Sequence, residues 1–275
     1  MKKVQFMALT SLCFILGLQS CQKDEETIVE EEVAVKEVSA ELLAKLADAQ
    51  INTKDVKIVD FMLPDGTTKE MIEVEGDVFM SENEILNLES VSASDRNYRT
   101  NNLVSQGKTI TIIGYTGGSN ALSTKEQTAL QWAVNNYNAL SGVSISFQLT
   151  FGTDYESKDM VVYHNPSQSG AGGSAGFPSN GNPHKFVQIY GLDNYDTNVV
   201  EHVITHEIGH SVGFRHTDWF DRASCGQNQN EGAGSIGAID LGGNSPSTSI
   251  MLACFSSGED GEFGVDDISA LNIMY

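Results

Sequence analysis

Apolar residues recur along this chain at two spacings, and the switches between them mark its elements. Leu42, Leu43, Leu46 and Ala47 share one side of a short helix predicted over residues 40–49. Residues 57–63 and 67–74 then read as the two strands of a hairpin turning at Pro64-Asp65-Gly66. The polar stretch 90–102, which carries Arg96 and Arg99, reads as an exposed linker. Beyond it, Thr-Ile-Thr-Ile-Ile-Gly-Tyr at 109–115 is rich in β-branched residues and predicts a strand. Ser123-Thr-Lys-Glu126 is a capping box, and Leu130, Ala133, Val134, Tyr137 and Leu140 line one face of the helix it opens. Strands follow at 143–150, 160–163 and 185–190, the last preceded by the Gly/Ser-rich stretch 167–182. A helix over about 198–211 comes next. A closing helix over 265–275 carries Asp266 and Asp267 in its first turn, where the helix dipole favours acids.

The start of the chain follows another pattern. Lys2 and Lys3 precede an apolar run, 4–18, too short to span a bilayer comfortably, which fits a secretory signal. Leu18-Gln19-Ser20-Cys21 resembles the bacterial lipobox, so Cys21 is the expected lipidated N-terminus of an exported, surface-exposed outer-membrane lipoprotein. The acidic tract after it, to residue 39, reads as a solvated tether. This divides the chain into a signal (1–20), a tether (21–39), a small segment (40–99) and a main domain (100–275).

Composition narrows the function. With 37 Asp+Glu against 16 Lys+Arg the net charge is −21, which repels nucleic-acid phosphates and anionic head groups. No nucleic-acid partner is expected, and membrane contact is expected through the lipid anchor only. Cys13 leaves with the signal and Cys21 would carry lipid, so Cys225 and Cys254 remain as a pair in an oxidising compartment. A disulfide is the expectation; two free buried thiols are the alternative.

The chemistry lies in His206-Glu207-Ile208-Gly209-His210-Ser211-Val212-Gly213-Phe214-Arg215-His216, an HExxHxxGxxH pattern. Residues four apart share a helix face, so His206 and His210 can meet one ion while Glu207 reaches water beside it. Gly213 can take positive φ, end the helix and return the chain so that His216 closes a third corner. A fourth corner left to water is the mark of a catalytic zinc site, expected at one Zn²⁺ per chain. His202 continues the same series, but three histidines suffice, and it reads as a satisfied packing residue. His164 and His184 carry no spacing signal.

This motif resembles that of the metzincin zinc endopeptidases, and HEIGHSVGFRHTDW is most similar to the bacterial dual-action HEIGH metallopeptidases. The resemblance covers about residues 105–275 and implies an α+β fold: a twisted, mostly parallel sheet with an antiparallel edge strand, two long helices and a cleft along that edge. Residues 172–177 are the candidate edge strand. It further implies that Met251, in Ser249-Ile250-Met251, is the methionine of a turn beneath the zinc; Ala253 stands where some members carry a tyrosine ligand. A Cys225–Cys254 bridge would tie this turn to the segment after the third histidine. The implied activity is hydrolysis of peptide bonds in extracellular proteins by zinc-activated water, with Glu207 as general base. The competing reading is a surface-binding lipoprotein that uses the same scaffold to capture a ligand without cleaving it.

Val74-Glu75-Gly76-Asp77-Val78 resembles the FxGDx stretch of astacin prosegments, whose Asp occupies the open zinc position. Asp77 is thus a candidate inhibitory switch in a zymogen; Gly76-Asp77 reads equally as the end of a hairpin. Cleavage near Arg96 or Arg99 would free the site, give a terminus that Asp266 or Asp267 could receive, and shed the domain from its anchor.

Overall fold

Ser39 accepts a hydrogen bond from the Leu42 amide and starts α1 (Ala40–Asp48), which buries Leu42 and Leu46. An antiparallel sheet follows, in the order β1 (Lys57–Met62), β2 (Thr68–Val74) and β3 (Val78–Met80). The chain then enters α2 (Glu82–Leu86) through a reciprocal capping box between Ser81 and Glu84. β3 and α2 have no counterpart in the hydropathy pattern. Three strand residues are too few to show alternation, and only the Ser81-x-x-Glu84 spacing signals the short helix.

These are the first elements of a computed structural model that describes residues 36–90, 99–219, 221–228 and 248–275. Residues 36–275 cluster as one unit. The signal, Cys21, most of the tether and Arg96 lie outside the described residues. Among the described residues no helix is long and apolar enough to cross a membrane.

The larger sheet contains β4 (Thr109–Tyr115), β5 (Ser146–Gly152), β6 (Met160–His164), β7 (Gly172–Ser174) and β8 (Phe186–Tyr190), in the order β5-β4-β6-β8-β7. All neighbours are parallel except β7, which runs antiparallel to β8 at one edge, with Gly173 opposite Ile189. The expected mixed sheet with an antiparallel edge is therefore present. β5 starts later than the pattern predicts because the Ser144 amide bonds the Tyr275 carbonyl at the C-terminus.

Between β4 and β5 lies α3 (Thr124–Ala139), opened by the Ser123–Glu126 capping box; α4 (Thr197–Ser211) follows β8, and α5 (Val265–Met274) closes the chain. Alternation in the strands places Ile110, Ile112, Met160 and Val162 in one core with α3, α4 and α5. Ile113, Val161 and Tyr163 face the other way, against Phe61, Met71 and Phe79 of the smaller sheet. Covering both faces explains why 109–115 is apolar almost throughout.

Candidate metal centre and active site

Every residue of α4 from Val199 to Ser211 is buried. The helix ends in a Schellman motif: Gly213 takes φ 111°, its amide bonds the His210 carbonyl at 2.9 Å, and the Phe214 amide bonds the Gly209 carbonyl at 2.9 Å. That reversal brings His216 back beside the helix. His210 Nε2 stands 2.9 Å from His206 Nε2 and 3.2 Å from His216 Nε2.

The rings are oriented from behind. His206 Nδ1 donates to the Ile250 carbonyl (2.8 Å) and His210 Nδ1 to the Phe214 carbonyl (2.9 Å), which leaves each Nε2 lone pair directed at the common centre. Burial, followed by the charges of His210 and His216, pushes the His206 imidazole well below its ordinary pKa and so keeps it neutral. Met251 lies beneath: a Cβ on Gly209 would stand 2.5 Å from Met251 Sδ, so only glycine admits the turn this close. The turn is held by Asp267, whose carboxylate accepts from Ser249 Oγ (2.7 Å), the Ile250 amide (3.1 Å) and the Gly264 amide (2.9 Å). Asp267 thus clamps the methionine turn.

A fourth ligand-type atom reaches the centre from β3's side. Asp77 Oδ2 lies 3.0 Å from His216 Nε2 and 4.0 Å from His210 Nε2, and the four donor atoms of Asp77, His206, His210 and His216 all fall within 4.8 Å of one another. Tetrahedral ligands at 2.0–2.1 Å from an ion stand about 3.4 Å apart, so this set suits Zn²⁺. Asp77's other oxygen, Oδ1, is buried with no hydrogen-bonding partner, an unfavourable charge that a cation at this centre would offset. Glu207 is 3% exposed, and its Oε2 likewise has no partner. Burial, reinforced by the Asp77 charge, pushes its carboxyl well above the ordinary value.

Asp77 is brought here by pairing that extends the β7 edge. The Ala175 amide donates to the Asp77 carbonyl (3.1 Å) and the Phe79 amide to the Ala175 carbonyl (2.6 Å). The predicted edge strand 172–177 is accordingly shorter against β8, because Ala175 pairs with the N-terminal segment instead. A buried ion pair, Arg215 Nη2 with Glu75 Oε1, and a half-buried contact of His184 Nδ1 with Glu84 Oε1 at 3.0 Å accompany this pairing. Arg215 also donates to the Gln50 carbonyl at 2.9 Å. Neither pairing carries a spacing signal, since each joins residues 100 or more apart in sequence.

Downstream of His216, Asp218 is fully buried and accepts from Ser224 Oγ (2.5 Å) and the Ala253 amide (2.9 Å). Cys225 and Cys254 form a disulfide next to these bonds, with Cα atoms 5.1 Å apart. Tyr190, Tyr195, His202, Arg222 and residues 252–255 line a cavity of about 640 Å³ that continues from Asp77, His206 and Glu207 along β7.

Among solved structures, myroilysin aligns at 14% identity and TM-score 0.41, covering 62% of this chain and 81% of its own. High choriolytic enzyme 1, a hatching-enzyme zinc protease from Oryzias latipes, aligns at 16% identity and TM-score 0.38, covering 68% and 97%. No curated protein sequence matches the chain. The family model of the dual-action HEIGH metallopeptidases matches residues 72–275, and the chain belongs to that family.

Proposed function

We propose that the chain is an exported zinc endopeptidase made as a latent, lipid-anchored precursor. The observation that carries the reading is the convergence of three imidazole ε nitrogens beside the buried, partnerless carboxylate of Glu207. His206, His210 and His216 would hold one Zn²⁺, which when bound polarises a carbonyl and brings the pKa of water to about 7. Glu207 sits where it takes a proton from water and returns it to the leaving amine, and its burial favours a carboxylate that accepts and holds that proton. Once residues 77–79 leave Ala175, the outer side of β7 presents main-chain groups to which an extended peptide can add as a further strand.

In the precursor, Asp77 takes the place of water, and the Glu75–Arg215 and Glu84–His184 pairs keep it there. Cleavage near Arg96 or Arg99 would release segment 40–99. The same cut separates the catalytic domain from Cys21, so activation would also shed it from the outer membrane.

The test compares the zinc-loaded full chain with its Asp77→Ala variant on casein, with and without a zinc chelator. The reading expects immediate chelator-sensitive cleavage by the variant, and a lag in the unaltered chain that ends as the chain is cut. Equal initial rates from two intact chains would remove Asp77 as an inhibitor. No cleavage by either would favour a ligand-capturing lipoprotein.

A further inference from the structure

α4 carries a histidine outside the metal centre. His202 lies one turn before His206, is 4% exposed, and is not one of the four residues gathered around the centre. It lines the same cavity. Among the described residues neither of its ring nitrogens has a hydrogen-bonding partner, and Nε2 is sealed from solvent. Because Nε2 is sealed, a ligand in the cavity can meet only the other ring nitrogen, Nδ1, and a donor that does so gives the ring the partner it lacks.

The surroundings define that partner. Val203 and Leu252 are aliphatic walls, and Tyr195 and Phe255 are aromatic ones, meeting edge to face at 5.8 Å between centroids; Phe255 stands 6.3 Å from the His202 ring. Burial lowers the His202 pKa, so the ring is neutral and one nitrogen is an acceptor. A carboxylate here would meet the negative charges of Glu259 and Asp260, which already act on His202. A ligand with a flat apolar body and a neutral hydroxyl tip meets every one of these conditions.

We infer that this part of the cleft is a side-chain pocket selecting tyrosine close to the scissile bond, its phenol donating to His202 while its ring packs against Tyr195 and Phe255. One helical turn, about 5.4 Å, separates His202 from His206 along α4, so the selected residue sits within one or two positions of the bond that is cut. The inference rests on the endopeptidase reading.

Its test reads binding and cleavage separately. The zinc-loaded full chain carrying Asp77→Ala is titrated by calorimetry with the hydroxamates of tyrosine, phenylalanine and lysine. The tyrosine compound is expected to bind at least about tenfold more tightly than the phenylalanine one, since a site built for a hydroxyl discriminates against its absence. His202→Leu should bring the two within about twofold, and His202→Gln, which keeps an acceptor, should restore part of the difference. Equal binding of tyrosine and phenylalanine compounds, preference for the lysine compound, no binding of any, or a tyrosine preference that survives His202→Leu would each overturn the pocket. Casein cleavage by the same proteins reports the activity independently, so loss of cleavage with the discrimination intact would count against the endopeptidase reading alone.

Discussion

Replacing Glu75 by glutamine alters one side chain in outline hardly at all, yet it should loosen a whole segment. The side chains of Arg215 and Glu75 are only 2% and 1% exposed, so Arg215 has no water to replace its lost counter-charge. Breaking one side of such a pair costs about 3–5 kcal/mol, because a charge is left buried and uncompensated. Glutamine keeps an acceptor for Arg215 and for the Asn52 amide, which now donates to Glu75 Oε1 at 3.3 Å. The lower end, about 3 kcal/mol, is therefore expected, or roughly a hundredfold in the equilibrium between docked and detached segment. Amide hydrogen exchange reads this directly. Val78, Phe79 and Met80 of β3 should lose about two orders of magnitude in protection, while α3, packed in the other core, changes far less. The cause is separable from lost contact by the double variant Glu75→Leu/Arg215→Met, in which no charge is stranded and more than half of the protection should return. Unchanged protection in Glu75→Gln, or a double variant no better than the single one, would refute the reasoning.

Three further outcomes follow from the same contacts. Burial alone would raise the Glu84 carboxyl, but the charge and hydrogen bond of His184, with Ser81, bring it down to about 2 from 4.5; its contribution is full above about pH 4.5 and lost as pH falls toward 2. α2 amide protection should fall across that window in the unaltered chain and change less in Glu84→Gln, and identical profiles would contradict the assignment. Removing the disulfide by Cys225→Ser opens a loop closed at a sequence separation of 29, worth about 3–4 kcal/mol on the entropic model, so thermal unfolding should shift down by several degrees, whereas an unchanged midpoint would show the bridge to be dispensable. Gly209→Ala would drive a methyl into Met251 Sδ and displace the turn that supplies the Ile250 carbonyl to His206; zinc affinity measured by competition should drop about 10–100-fold, and undiminished affinity would contradict a supporting role for Met251.

What the sequence reveals and what it hides divide along the range of the interaction. α3 announces itself through a capping box and a periodic face, and β4 through its β-branched run, because both signals are local. The histidine set is equally legible, since helical spacing and a positive-φ glycine place all three rings within eleven consecutive residues. Asp77 is visible only by resemblance, because what brings it to His216 is the pairing of residues 77–79 with Ala175. Asp267 reads from sequence as a favourable charge in a first helical turn, and the structure adds that its three hydrogen bonds clamp the methionine turn. The Glu75–Arg215 and Glu84–His184 pairs leave no pattern at all, as ion pairs between distant segments obey no period. His202 inverts its sequence reading: it is buried, as a packing histidine should be, but not satisfied.

The central claim is that His206, His210 and His216 hold a zinc ion against which Glu207 acts as a base. The most direct measurement is zinc content together with peptide turnover for full-length Asp77→Ala and for Asp77→Ala/Glu207→Gln. The account predicts one zinc in both proteins and a turnover at least about 10²–10⁴-fold lower when Glu207 is glutamine. Near-equal turnover, or loss of zinc with Glu207 alone changed, would contradict it.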